Sequence, residues 1–284
     1  MKRKYWIFAS ATSFIWACGP ILIRLTVGEF SATTLAAARI WIAALTMLAI
    51  CLIKKKPPPK RRDVPVFIFA GAVGFALYTV FYALGFSMVT VTTGTVILSL
   101  SPIFTALLAQ LFMKERIRPL GWVFTGVSFL GILILVLWNG ALSVNNGVLI
   151  LLLTAVLLST YNFIQRKLTK SYDAIQSCAY SLIAAAIILS PFLPAAIGDL
   201  AKTSPVSFSA IIILGTCNSG LAYLCWSKAF SLADRTADVA NFLYLPPFLA
   251  TLIAFVAFHE LPDLGTVVGG IVILFGLWMF QKKA

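Results

Sequence analysis

The chain has 284 residues, 61% of them hydrophobic and 11% charged, with a formal net charge of +13. Soluble domains average roughly 45–50% apolar and about 25% charged residues. So few polar groups cannot cover a soluble surface, so an ordinary soluble domain is excluded and lipid is the expected solvent.

The apolar residues fall in ten blocks, at 5–27, 33–53, 64–84, 91–113, 119–138, 147–166, 174–197, 207–231, 237–258 and 263–281. Each approaches the ~20 residues a helix needs to cross a ~30 Å hydrocarbon core. Barrel strands would be shorter and would alternate polar with apolar. Lipid offers no partners for free backbone groups. The pattern therefore predicts an all-α, polytopic membrane protein with ten transmembrane helices. The first block follows the basic start Met1-Lys2-Arg3-Lys4. Its apolar run continues through Ile21, Leu22 and Ile23, too long for the h-region of a cleaved signal peptide. It contains Trp16. The second block contains Arg39, and a charge inside the membrane is a functional candidate by default. It could bind a substrate carboxylate. It could equally cap loop carbonyls or snorkel outward, since it sits only ~9 Å from the start of its helix at 1.5 Å per residue.

Between the second and third blocks lies "KKKPPPKRR", residues 54–62. Its three prolines hold it extended. Lys and Arg concentrate in cytoplasmic loops, and with ten spans both termini share a side. That side's segments hold 19 of the 22 basic residues: Lys2, Arg3 and Lys4; the six of the 54–62 stretch; Lys114, Arg116 and Arg118; Arg166, Lys167 and Lys170; Lys228 and Arg235; and Lys282 and Lys283. Only Arg24, Arg39 and Lys202 lie elsewhere. Both termini are therefore expected in the cytoplasm. The positive charge is a topology signal facing water and anionic headgroups, with no nucleic-acid partner.

Polar and aromatic residues gather at mid-helix further along. Helix three has Tyr78 and Tyr82 on one face, four apart, and helix four has Thr95, Ser99 and Ser101. Helix six adds Tyr161, Asn162 and Gln165; helix eight adds Asn218, Ser219, Tyr223 and Trp226; helix nine adds Asn241 and Tyr244. Any one of them reads as interhelical glue or an interfacial anchor. Their gathering reads as a substrate cavity with the candidates Trp16, Arg39, Tyr78, Tyr82, Ser99, Tyr161, Asn162, Asn218, Tyr223, Trp226, Asn241 and Tyr244. Tyr82 and Trp226 are expected to face it from opposite halves. Pro102, Pro246 and Pro247 remove backbone donors inside helices four and nine and are hinge candidates. Helices five and ten are dotted with glycine (Gly121, Gly126, Gly131; Gly265, Gly269, Gly270) and read as close-packed helices outside the pathway.

No catalytic residue, metal site or cofactor is expected. The five cysteines lie within helices without C-x-x-C pairing, and the one histidine, His259, abuts Glu260 at a helix end. No Gly-rich phosphate loop with Lys is present. All nine acidic residues (Glu29, Asp63, Glu115, Asp173, Asp199, Asp234, Asp238, Glu260, Asp263) fall in loops or at helix ends. A coupled proton would therefore not ride on a carboxylate at the membrane centre, and neutral or zwitterionic cargo is favoured.

The chain also repeats itself. "AGAVGFALYTVFYALGFS" (70–87) resembles "LGTCNSGLAYLCWSKAFS" (214–231) at an offset of 144, and "PIFTALLAQLFMKE" (102–115) resembles "PFLATLIAFVAFHE" (247–260) at 145. Gly71 meets Gly215, Tyr82 meets Trp226, Pro102 meets Pro247 and Glu115 meets Glu260. The division is 1–140 and 145–284, five spans each. Because five is odd, the copies insert with opposite orientation, an arrangement that recurs in secondary transporters with the substrate near the midplane.

These repeats, the Pro-to-Glu stretches closing helices four and nine, Trp16 and Arg39 together resemble the drug/metabolite transporter superfamily, in its ten-helix EamA type. The likeness covers essentially the whole chain. It departs at Lys114 and His259, where the family usually has Gly, and at Trp16-Ala17, where it has Trp-Gly. The resemblance implies a secondary transporter of small metabolites such as amino acids, not an enzyme. It implies alternating access in the bacterial inner membrane, with export the expected direction. Its partners are then a small-molecule substrate and the lipid bilayer, and a monomer is one option for its oligomeric state. The alternative classes are an intramembrane lipid-modifying enzyme, for which the chain lacks a catalytic set, and a membrane signalling or scaffold protein, which would have no use for an inverted repeat.

Overall fold

A computed structural model describes residues 4–26, 28–89, 91–138, 146–258 and 264–283. The sequence readings that rest on Lys2, Arg3, His259, Glu260 and Asp263 lie outside the described residues. Among the described residues, ten helical segments follow one another: α1 Tyr5–Arg24, α2 Ala32–Ile53, α3 Arg61–Phe86, α4 Thr93–Met113, α5 Pro119–Leu137, α6 Asn146–Leu168, α7 Ala174–Ile188 with Ser190–Leu200, α8 Pro205–Leu232, α9 from Thr236–Ala240 through a 3₁₀ turn at Asn241–Tyr244 into Leu245–Phe258, and α10 Leu264–Lys283. No strand occurs among the described residues. Among the described residues, eight segments are long and apolar enough to cross a membrane, and α7, bent by 56° at Leu189, makes a ninth if counted as one span. The chain is thus an all-α, multi-pass membrane protein. The 3₁₀ turn breaks α9 into shorter pieces.

Local sequence explains the helix starts and breaks. Ser31 and Asp173 cap α2 and α7, their side chains accepting the Thr34 N–H at 3.2 Å and the Gln176 N–H at 2.8 Å, which satisfies donors that a helix start leaves orphaned. In α4 the chain turns at Ser99–Leu100 and restarts as Ser101–Met113. Pro102 therefore sits in the first turn of a new helical piece, where its missing N–H is not needed, rather than kinking a continuous helix.

The halves pack as a two-fold-related pair. A Cβ on Gly131 of α5 would come within 2.8 Å of the Gly269 carbonyl oxygen and the Ile273 N of α10. One on Gly276 would meet the Ser128 N at 2.8 Å and the Phe124 carbonyl oxygen at 3.0 Å. Moving up α5 from 124 to 131 moves down α10 from 276 to 269, so the two helices run antiparallel. Adding 145 to the α5 residue of one contact and subtracting 145 from its α10 residue gives the other. Glycine lets these backbones touch, and the contact shows the inversion that an odd number of spans requires.

Connections on each end are tied to one another. The 54–62 stretch docks on the start of α7: Lys56 pairs with Asp173, and the Gln176 Nε2 and Tyr180 hydroxyl donate to the Pro57 carbonyl at 2.9 and 2.8 Å. At the opposite end Glu29 accepts from the Ser204 N–H, the Ser204 hydroxyl and the Ser207 hydroxyl, each at 2.8 Å, and from Thr203. These hydrogen bonds, with Thr203 the largest contributor, hold the Glu29 carboxyl down at about 2 against an ordinary 4.5. A depressed folded pKa contributes stability that is complete above the unfolded value and is lost as pH falls through the folded one. Between pH 4.5 and 2, Glu29→Gln is expected to melt with a shallower pH dependence than the parent in detergent. Parallel profiles would show that this latch adds nothing to stability.

Candidate functional site: a central cavity open at one end

The helices enclose a cavity of about 790 Å³, within the range of roughly 300–1,000 Å³ typical of small-molecule sites. Its wall is built from α1 (Trp16, Gly19, Pro20, Ile23), α2 (Leu35, Arg39), α3 (Phe75, Tyr78, Tyr82, Phe86), α4 (Thr95, Ser99), α5 (Leu135, Val136), α8 (Asn218, Ser219, Tyr223) and α9 (Leu243, Pro246, Pro247). Its mouth lies at the α1–α2 connection, where Gly28 and Ser31 also line it and are exposed. That is the end latched by Glu29, opposite the docked 54–62 loop.

The polar floor is set by two π-helical stretches. α3 and α8 carry them at Ala72–Ala76 and Leu214–Leu221, positions that match at the offset of 144. Such bulges widen a helix and free carbonyls from the regular ladder. In α8 the Asn218 carbonyl accepts the Trp16 indole N–H at 3.2 Å. The Asn218 side chain is clamped, its Nδ2 donating to the Ile15 carbonyl at 2.9 Å. Its Oδ1 accepts from the Arg39 Nη2 at 3.1 Å, and Ser219 Oγ accepts from the Arg39 Nε at 3.0 Å. Above this polar cluster stands an aromatic wall. Trp16 meets Tyr223 edge-on at 5.0 Å, Phe75 meets Tyr223 at 4.6 Å, and Tyr82 lies between Tyr78 at 5.8 Å and Phe86 at 4.6 Å. No Asp or Glu occurs among the lining residues.

Seven of the twelve cavity candidates line this space: Trp16, Arg39, Tyr78, Tyr82, Ser99, Asn218 and Tyr223, together with Pro246 and Pro247. Five sit behind it. Tyr161, Asn162, Trp226, Asn241 and Tyr244 are all buried, at 0–1% exposure. Trp226 donates to the Asn162 Oδ1 at 3.0 Å, Asn162 to Thr105 at 3.3 Å, and Asn241 to Thr125 at 3.2 Å. The expected pairing of Tyr82 with Trp226 across the cavity is not seen; Tyr223, one turn earlier on α8, occupies that wall. The hydroxyls of Tyr161 and Tyr244 have no hydrogen-bond partner among the described residues. Pro102 is buried outside the lining. Against expectation, the end of α5 reaches the cavity through Leu135 and Val136. Phe75 and Phe86, which are not among the sequence candidates, also line it, and positions 75, 78, 79, 82 and 86 form one helical stripe.

Below the five buried residues the far end is shut by charges. The Arg166 Nη2 donates to the Asp234 carbonyl at 2.8 Å and its Nη1 to the Phe230 carbonyl. Its Nε stands 3.6 Å from Glu115 Oε1, an ion pair too long for a hydrogen bond. Glu115 accepts the Thr236 N–H at 2.5 Å and hydroxyl at 2.8 Å. Arg235 pairs with Asp238 at 2.8 Å, and Gln281 reaches the Asp238 carbonyl at 3.0 Å. Thus α4, α6, α8, α9 and α10 are tied together at this end.

A profile of the EamA-like transporter family matches residues 3–137 and again 145–281. The chain belongs to the EamA-like transporter family. Members of this EamA family are transporters rather than enzymes, and this one is a small-metabolite transporter. It is 26% identical over 283 residues to the "Probable terminal-alkyne amino-acid exporter" of Streptantibioticus cattleyicolor, covering 100% of this chain and 95% of that one. It is 30% identical over 236 residues to the "S-adenosylmethionine uptake transporter" of Rickettsia bellii, covering 83% and 79%. A solved crystal structure superposes over 100% of both chains with a TM-score of 0.81 at 18% identity, a likeness of fold.

Proposed function

We propose that this EamA transporter exports amino-acid-like metabolites from the bacterial cytoplasm by alternating access between its two repeats, residues 1–140 and 145–284, with both termini inside. One observation carries this reading. The cavity residues Trp16, Tyr82 and Ser99 have repeat counterparts in Tyr161, Trp226 and Tyr244, at offsets of 145, 144 and 145. The first three line the open space, and the second three are fully buried in the shut half. The contacts correspond too: Trp16 touches Asn218, and Tyr161 packs on its counterpart Gly74. Exchanging the two halves' conformations would close the first set and expose the second to the other side, giving water to the Tyr161 and Tyr244 hydroxyls, which lack a partner among the described residues. Pro102 and Pro247, matched in the repeat, are the proposed hinges, with Pro246 beside the second. Export agrees with the amino-acid exporter among the relatives.

Orientation rests on the basic loops, which the fold gathers at the shut end. With the native cysteines removed, single cysteines at Lys60 and Lys202 are probed with an impermeant thiol reagent in intact cells. Labelling of Lys202 but not of Lys60 is expected, and the reverse would invert the protein. Intracellular metabolite profiles of deletion and overexpressing strains test the direction. An exported solute accumulates in the first and is depleted in the second, and the opposite pattern means uptake.

A further inference from the structure

We propose that Arg39 is the anchor for a substrate carboxylate, so that the cargo is a small carboxylic acid with an apolar, ring-sized body. This rests on the transporter reading for its purpose, but it is argued from the cavity alone. Arg39 lies a third of the way along α2 and lines the cavity. No carboxylate among the described residues lies within ion-pair distance of it, and none lines the space around it. A charge held away from bulk water without a partner is costly. Here it is kept and aimed. Ser219 and the clamped Asn218 fix one edge of the guanidinium through Nε and Nη2. A guanidinium has five N–H donors in a planar fork, and both hydrogens on Nη1 and one on Nη2 have no partner among the described residues. A planar fork with free donors is the geometry that receives a carboxylate through two parallel hydrogen bonds.

The remaining wall says what the carboxylate is attached to. Trp16, Tyr78, Tyr82 and Tyr223 present ring faces and edges around the fork, which suit an aromatic or branched apolar body. With no acid in the wall, a cargo of net positive charge finds no counter-ion. Snorkelling of Arg39 to the interface, the other reading of its position, does not agree with its inward bonds to α8. The second repeat carries Ala184 at the position matching Arg39 at the offset of 145, so the anchor belongs to one half and is not duplicated.

The full-length protein, purified in detergent, is titrated by calorimetry with 3-phenylpropionate, its neutral isostere 3-phenylpropionamide, and L-phenylalanine. The two carboxylates are expected to bind about 10- to 100-fold more tightly than the amide, the range of a charge-assisted hydrogen bond. Arg39→Gln is expected to abolish that preference, and Arg39→Lys, which keeps charge without the fork, to retain part of it. Equal binding of acid and amide by the parent protein, binding of none of the three, or an unchanged preference in Arg39→Gln overturns the proposal. The parent's acid-to-amide ratio decides even if a variant does not fold. Because binding is read without a gradient, the two readings fail separately. Carboxylate-selective binding without transport in liposomes would remove the transporter reading and leave the anchor. Transport indifferent to the carboxylate would do the reverse.

Discussion

Arg166→Ala is expected to destabilise the protein by about 3–5 kcal/mol, the usual effect of removing one partner from a buried ion pair. Glu115 and Arg166 are both nearly buried, with side chains 11% and 10% exposed. The loss leaves Glu115 with Thr236 as its partner among the described residues, and it takes the Arg166 donor from the buried Phe230 carbonyl and from the Asp234 carbonyl. Chemical or thermal unfolding in detergent reads the change. Glu115→Gln keeps an acceptor for Thr236 and is expected to cost less. A double-mutant cycle between the two positions isolates their coupling, and additive effects would show that the pair does not hold the shut end. Loosening this end should also favour opening on that side. A cysteine at Ser227, fully buried behind it, is expected to label faster in the Arg166→Ala background.

Trp226→Ala is the second large effect, also about 3–5 kcal/mol, because a fully enclosed indole leaves a void that its surroundings fill only in part. It also frees the Asn162 carbonyl oxygen from its donor. Tyr82→Ala, in the half-open wall, is expected to cost much less and to act on ligand binding instead. If the two variants unfold alike, the division between open and shut halves is wrong.

That division also marks what the sequence could and could not convey. Block length and apolarity locate all ten helical segments, because hydrocarbon thickness leaves helices little choice of length. The repeat was readable from matched positions such as Gly71 and Gly215, where a Cβ would come within 2.6 and 2.5 Å of a neighbouring helix. The aromatic candidates were also found, but their sorting was not. Tyr82 and Trp226 are equivalents, and a sequence compares equivalents as if they shared one environment. In the structure the two stand in different environments, Tyr82 lining the cavity and Trp226 in the core. The reach of α5 was missed for another reason: Leu135 and Val136 are indistinguishable in sequence from lipid-facing residues, and only helix packing shows that they meet the cavity. The seating of Arg39 depends on the π-helical stretch that turns Asn218 and Ser219 toward it. A register change of that kind leaves only a weak trace, in the run of poor helix formers Asn218-Ser219-Gly220.

Efflux from liposomes tests the central claim most directly. The purified chain is reconstituted into vesicles loaded with an isotope-labelled extract of bacterial metabolites, without nucleotide outside, and the solutes released are resolved by mass spectrometry against protein-free vesicles. The account predicts that a small set of carboxylate-bearing solutes leaves faster through the protein, that saturating one of them slows the others, and that Arg39→Gln abolishes the difference. Release at the protein-free rate for every solute would contradict it.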